Sequence, residues 1–189
     1  MKIKKCFIDV ETTGVDVTKH SVHHIASIML DENGKGVDYI SLKFTPYKSE
    51  YEQSALDIVG LSYDELFHQR KLTSAKAFQL FLEYLEKHVN KFDRDDKLQF
   101  LAYNSEFDER FVREWFNEHS CNYYASYFWH PSICIMKECA WLLRDQRNVV
   151  PNFKLASLCK FAKIEFDEDA AHDAMYDIRK TVELYKAIE

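Results

Sequence analysis

The stretch Ile8-Asp9-Val10-Glu11-Thr12-Thr13-Gly14, IDVETTG, decides how the chain is read. It closes an apolar run that begins at Cys6 and Phe7, and it sets two carboxylates two positions apart just before a polar turn. On a strand, side chains at i and i+2 point to the same side, so Asp9 and Glu11 are neighbours in space. Two anions that close repel unless water or a cation separates them. A lone pair of acids at a strand end is most simply a solvated one. The chemistry therefore depends on which other residues join the pair.

Outward from this strand, residues 4–10 and 24–31 read as strands. Asp31-Glu32-Asn33-Gly34 supplies the turn into a third at 38–44, which predicts an antiparallel meander. Ser62-Tyr63-Asp64-Glu65 has capping-box spacing, and Phe78, Leu82, Leu85 and Val89 mark one stripe of a longer helix. A fourth strand is expected at 97–103. A helix follows with Phe107, Phe111 and Trp115 on its buried face, then a fifth strand in aromatic-rich 123–129, ended by Pro131. Helices are expected at about 133–145, 153–163 and 173–188. This order predicts an α/β fold with a mixed five-stranded sheet: a three-strand antiparallel meander, two parallel strands, and helices on both faces. With only four glycines, three prolines and no Ser/Gly-rich linker, residues 1–189 read as one domain.

Composition narrows the function classes. Five cysteines without a C-x-x-C pair indicate neither a disulfide framework nor a zinc ribbon. Lys2, Lys4 and Lys5 resemble the basic end of a signal peptide, but Asp9 and Glu11 interrupt the apolar stretch too early. No run reaches the ~18 apolar residues of a membrane span. The expectation is a soluble, cytoplasmic protein. The net charge of −6 is uneven: Lys137 to Lys163 carries +4 and the rest −10. The basic segment can be a solvated helix face or a hold on phosphate, while the acidic remainder needs metal ions before a polyanion approaches. His20, His23 and His24 lack the acid or thiol pattern of a metal site. Asn33-Gly34-Lys35 lacks the upstream glycine of a phosphate loop. Ser157-x-x-Lys160 lies on an ordinary helical stripe.

Further acids occur in two later segments. YNSEFDERF, 103–111, places Asp108 early in the helix after the fourth strand, where it can serve a site or complement the helix N-terminus through the pattern Ser105-x-x-Asp108. AHDAMYDIRKT, 171–181, offers His172 and Asp177. Five residues along a helix turn through about 500°, so both cannot face one point from mid-helix. His172 fits the loop entering the helix and Asp177 its first turn, from which both can face one site.

In order and separation, IDVETTG, YNSEFD and HDAMYD resemble the three motifs of the DEDDh class of 3′ to 5′ exonucleases, a superfamily that includes a proofreading subunit of bacterial DNA polymerase III, exonuclease X and ribonuclease T. The similarity extends to SALDIVGLSYDEL before the mid-chain helix and FKLASLC before the third motif. It implies a ribonuclease H-like fold and a single exonuclease domain. It also implies metal ligands Asp9, Glu11, Asp108 and Asp177, with His172 as general base. Four carboxylates balance two divalent cations, and an all-oxygen set suits Mg²⁺ or Mn²⁺; two such ions ~3.5 to 4 Å apart can clamp an in-line displacement at phosphorus. By the same resemblance Asp9 bridges both ions, Glu11 and Asp177 complete one, and Asp108 serves the other. The family's alternative tyrosine would fall at Asp173, which indicates the histidine subclass. Thr12, Thr13, Gly14 and Asn104 match positions near the terminal nucleotide, and Ile58 and Leu61, with Val59, flank Gly60 where relatives present an apolar wedge. Val59, Tyr103 and Pro131 stand where relatives often carry His, His and Asp. The implied partner is a nucleic-acid 3′ end, DNA ahead of RNA. If the role is proofreading, the polymerase is a separate chain.

Overall fold

The computed structural model describes residues 3–68 and 71–188. Its centre is β1 (Lys4–Thr12), antiparallel to β2 (Val22–Leu30), which is antiparallel to β3 (Gly36–Thr45). The β2–β3 turn forms as its residues require: Gly34 takes a φ of 76° and its N–H donates to the Asp31 carbonyl at 3.0 Å. Next come α1 (Gln53–Val59), α2 (Tyr63–Phe67), the two-residue β4 (Leu72–Thr73) and α3 (Ser74–Glu86). In α2 the Ser62–Glu65 capping box closes in both directions. The chain then forms β5 (Leu98–Ala102), parallel to β1, and α4 (Ser105–Glu118). A short helix α5 (Tyr124–Tyr127), β6 (Ile133–Cys134), α6 (Ile135–Leu142), α7 (Leu155–Phe161) and α8 (Ala174–Ile188) complete it.

The mixed sheet with helices on both faces is present, but with six strands in the order β4-β3-β2-β1-β5-β6 rather than five. The expected fifth strand at 123–129 is instead helical over Tyr124–Tyr127, and only Phe128 bridges to Leu98. The buried aromatics there are Tyr124, Tyr127 and Phe128, an i, i+3, i+4 set that belongs to a helix. The two added strands have two residues each, too short to carry a period-2 pattern.

Alternation along β1 divides the interior. Cys6, Ile8 and Val10 face a core with Phe78, Phe81 and Tyr84 of α3 and Phe111, Trp115 and Phe116 of α4. Trp115 stacks on Phe44 of β3 with centroids 5.0 Å apart. Phe7 faces the second core, with Leu158 of α7 and Ala174 and Ile178 of α8. Asp9 and Glu11 continue the Phe7 side. With β1 and β5 parallel, their C-terminal ends and the start of α4 meet at one edge, where α/β sheets commonly bind ligands.

Candidate active site

The first motif lies where β1 stops being a regular strand. Asp9 pairs with Ala26 and Glu11 with His24, and the register shifts between Glu11 and Thr12. The following turn is held from within. Thr12 Oγ1 donates to the Gly14 carbonyl at 2.8 Å, and Thr13 Oγ1 to the Glu50 carbonyl at 2.8 Å. Both threonines are buried. The hydroxyls expected beside a terminal nucleotide are thus engaged inside the turn. A Cβ on Gly14 would fall 2.5 Å from the His20 ring, so glycine is required there. His20 also accepts the Asp16 N–H through Nδ1 at 3.1 Å. The first of the three clustered histidines is therefore a brace for the motif.

The second motif begins α4. Asn104 is the exposed N-cap, and its carbonyl accepts the Phe107 N–H at 2.9 Å while its side chain makes no capping bond. Asp108 takes no part in capping with Ser105. It is 4% exposed, and its Oδ1 accepts the Val10 N–H at 3.2 Å. This bond joins the second motif to the residue between Asp9 and Glu11. Tyr103 donates its hydroxyl to the Phe153 carbonyl, tying β5 to the segment before α7.

At the third motif, His172 is exposed in the loop and Asp177 lies in the first turn of α8, as the angular argument predicts. His172 has a φ of 63°, in the left-handed region that histidine enters more readily than most residues. Its backbone N–H donates to Asp177 Oδ2 at 3.2 Å. Asp177 Oδ1 is buried and has no hydrogen-bond partner. Asp173 adds a function the motif reading did not assign. Its Oδ1 accepts the Met175 and Tyr176 N–H groups at 3.1 and 3.2 Å, and its Oδ2 accepts Lys43 Nζ at 2.9 Å. The signal available in the sequence was an Asp just before a helix, a capping residue.

The acids interact strongly. Burial, then Asp108, Glu11, Asp177 and Asp173, hold the Asp9 carboxyl well above its ordinary range. Burial and the charges of Asp177, Asp108 and Asp173 push Glu11 up to about 9, against the opposing pull of Lys43. Burial raises Asp108 to about 7, opposed by the Val10 N–H, and burial also raises Asp177. Among the described residues, no group of three or more His, Cys, Asp or Glu side chains is arranged to hold a metal ion as it stands. The chemistry of the set nonetheless fits a hard divalent cation: its donors are oxygens, they repel one another, and Asp177 Oδ1 lacks a partner.

Two cavities meet at this cluster, and His172 lines both. One of about 590 Å³ touches Asp9, Tyr103, Lys154 and Asp177. The other, of about 470 Å³, touches Glu11, His24, Lys43 and Leu61. Leu61 reaches that wall because α1 ends at Gly60, with a φ of 65°, and the Leu61 N–H returns to the Leu56 carbonyl at 3.0 Å. Ile58 is 58% exposed nearby in sequence and does not line either cavity.

Comparison with known proteins places the chain among exonucleases. Ribonuclease T of Vibrio cholerae is 29% identical over 186 residues, covering 96% of this chain and 79% of the relative. The 3′-5′ DNA exonuclease Cap18 of Escherichia coli is 24% identical, covering 96% and 89%. A structure of E. coli exonuclease I in complex with a dT13 oligonucleotide superposes with a TM-score of 0.75 at 22% identity. It shares the fold over 98% of this chain, which spans about 41% of that longer one. Among the described residues no helix is long and apolar enough to cross a membrane. The RNase_T exonuclease model matches residues 6–185, from the first strand through the last helix, and the chain therefore belongs to that family of hydrolytic nucleases.

Proposed function

We propose that the protein removes nucleoside 5′-monophosphates one at a time from the 3′ end of single-stranded or frayed DNA, using two Mg²⁺ or Mn²⁺ ions. What supports this reading is the mutual repulsion of Asp9, Glu11, Asp108 and Asp177, which with burial holds the Asp9 and Glu11 carboxyls above their ordinary range, beside two cavities that His172 lines. These four carboxylates would hold the ions. Divalent cations bound there would cancel the acidic repulsion, admit a phosphodiester and stabilise charge developing on its oxygens.

The remaining steps belong to the chain's own residues. An imidazole nitrogen of His172 accepts the proton of an attacking water as its oxygen bonds to phosphorus. The bond from phosphorus to the O3′ of the preceding nucleotide breaks, that oxygen takes a proton from water, and the terminal nucleotide leaves with a 5′-phosphate. Asp177 holds the His172 backbone and so orients the ring's loop. Leu61 packs against the terminal nucleotide, with Ile58 at the outer edge, and the rim near Asn104 guides the preceding one. Thr12, Thr13 and Gly14 shape the floor through a turn braced by His20. Contacts of this kind grip sugar, phosphate and base faces, so little sequence preference is expected. The family match over 6–185 supports one catalytic domain for 1–189.

RNA trimming is the second reading, favoured by the relatives named ribonuclease T. Attack at phosphorus does not require a 2′-hydroxyl to be sensed. The test is digestion of 5′-labelled DNA and RNA oligonucleotides of one sequence with and without Mg²⁺. A metal-dependent ladder from the 3′ end, faster on DNA, is expected. A large RNA preference would reverse the order, and no mononucleotide release from either strand would end the nuclease reading for this chain.

A further inference from the structure

An ion pair outside the acid cluster ties the turn of the first motif to the far half of α4. Thr13 is the centre of that turn: its N–H donates to the Ser21 carbonyl at 3.0 Å, its carbonyl accepts the Glu52 N–H at 2.7 Å, and its hydroxyl accepts the Ser21 N–H at 3.2 Å. The hydroxyl also donates to the Glu50 carbonyl, so the turn leans on residues 48–52, a stretch between β3 and α1 with no helix or strand of its own. Lys48 fastens that stretch. Its N–H donates to Ser21 Oγ at 3.2 Å. Its Nζ donates to the Val17 carbonyl at 2.9 Å and to Glu114 Oε1 at 3.0 Å, and lies 3.3 Å from Glu118 Oε1. Ser21 Oγ donates to that same Glu118 oxygen at 2.5 Å. Glu114 and Glu118 are one turn apart on α4, the helix whose first turn holds Asp108 on the Val10 N–H. The ten residues from Asp108 to Glu118 span about 15 Å of helix. One helix therefore grips the first motif on both sides of Glu11. The Glu118 side chain is 3% exposed, and its Oε2 is buried without a hydrogen-bond partner. Burial raises its carboxyl, against the pull of Ser21 and Lys48. Burial opposes charge on the Lys48 amine, but Glu114 and Glu118 outweigh it and hold the amine above its ordinary range. A buried pair adds little net stability over apolar groups of the same volume, so its directed bonds are what distinguish it.

We propose that Lys48 is a positioning residue for hydrolysis: by locking residues 48–52 to α4, it presets the Thr12–Gly14 turn on which the terminal nucleotide rests. The use of the turn rests on the nuclease reading, whereas the coupling of Lys48 to Thr13 does not. Asp9 and Glu11 are fixed by their pairing with Ala26 and His24, so a loosened turn acts on binding of the 3′ end and leaves the acids in place.

The test compares two variants of the full chain. Lys48→Met combined with Glu118→Gln removes both charges while keeping the bulk, so the fold should survive; Lys48→Arg keeps the charge and the donors. In the double variant, KM for a single-stranded oligonucleotide should rise about tenfold, because the turn is then ordered on binding rather than beforehand, with kcat within about threefold of the parent. The Thr13 amide should exchange with deuterium about tenfold faster at an unchanged urea midpoint. Lys48→Arg should restore both. An unchanged KM, or a fall in kcat alone, overturns the role in hydrolysis. Unchanged Thr13 exchange overturns the coupling itself even if the chain digests DNA. A parent chain that releases no mononucleotide defeats the nuclease reading instead, and the exchange comparison still decides the coupling.

Discussion

Asp9 and Glu11 share one site with His172, yet the chain holds them in opposite ways. β1 is paired along both edges, to β2 and β5, and packed on both faces, with Phe7 and Ile8 fully buried. Its acids are imposed by a rigid element, and their repulsion is a standing cost. His172 is exposed on a loop, in a left-handed conformation, fastened through its backbone N–H to Asp177. The contrast teaches that charge is concentrated by a strand packed on both faces, whereas His172, the proposed proton acceptor, is set on an exposed loop.

The largest expected effect breaks the rigid half. Asp9→Asn should cost on the order of 10³-fold in mononucleotide release, the scale seen when a group stabilising transition-state charge is removed. In chelator the same variant should melt above the parent, because one repelling charge has gone. A lower melting temperature would show that Asp9 supports the fold rather than strains it.

The loop half answers differently. His172→Gly should reduce the hydrolytic rate by about 10²-fold or more through loss of the general base. Glycine accepts a positive φ freely, so stability should be unchanged or gain up to about 1 kcal/mol. Rate and urea midpoint falling together would contradict this separation of duties.

The smallest effect sharpens the comparison at the tether. Asp173→Asn keeps an oxygen to cap α8 but loses the charge paired with Lys43. That exposed pair is worth at most about 1 kcal/mol. A loss of activity of only a few-fold is expected, with α8 intact by circular dichroism. Asp173→Ala also removes the cap and should cost about 1 kcal/mol more.

Legibility in the sequence followed the length of each pattern. The meander, α3, α4 and α8 were readable because nine or more residues repeat a period. β4 and β6 were not, since two residues carry no period and their pairing depends on neighbours distant in sequence. The aromatic stretch at 124–128 misled because tyrosine and phenylalanine favour strands, while the spacing of their buried members is helical. Within the site, the acids and His172 could be named from motif context. The Asp108 bond to Val10, the brace of His20 on Gly14 and the Lys43 tether could not, because each joins residues whose separation in sequence bears no relation to their contact.

By itself the sequence determined an α/β exonuclease chain and which side chains carry its charge, because local periodicity and residue chemistry are written along the strand of residues. Tertiary structure alone decided which oxygens are satisfied and which are left open, and that Lys43 of β3 pairs with Asp173 beside the acids. Burial and repulsion depend on distances that exist only after β1, β2, β3 and α8 have packed together.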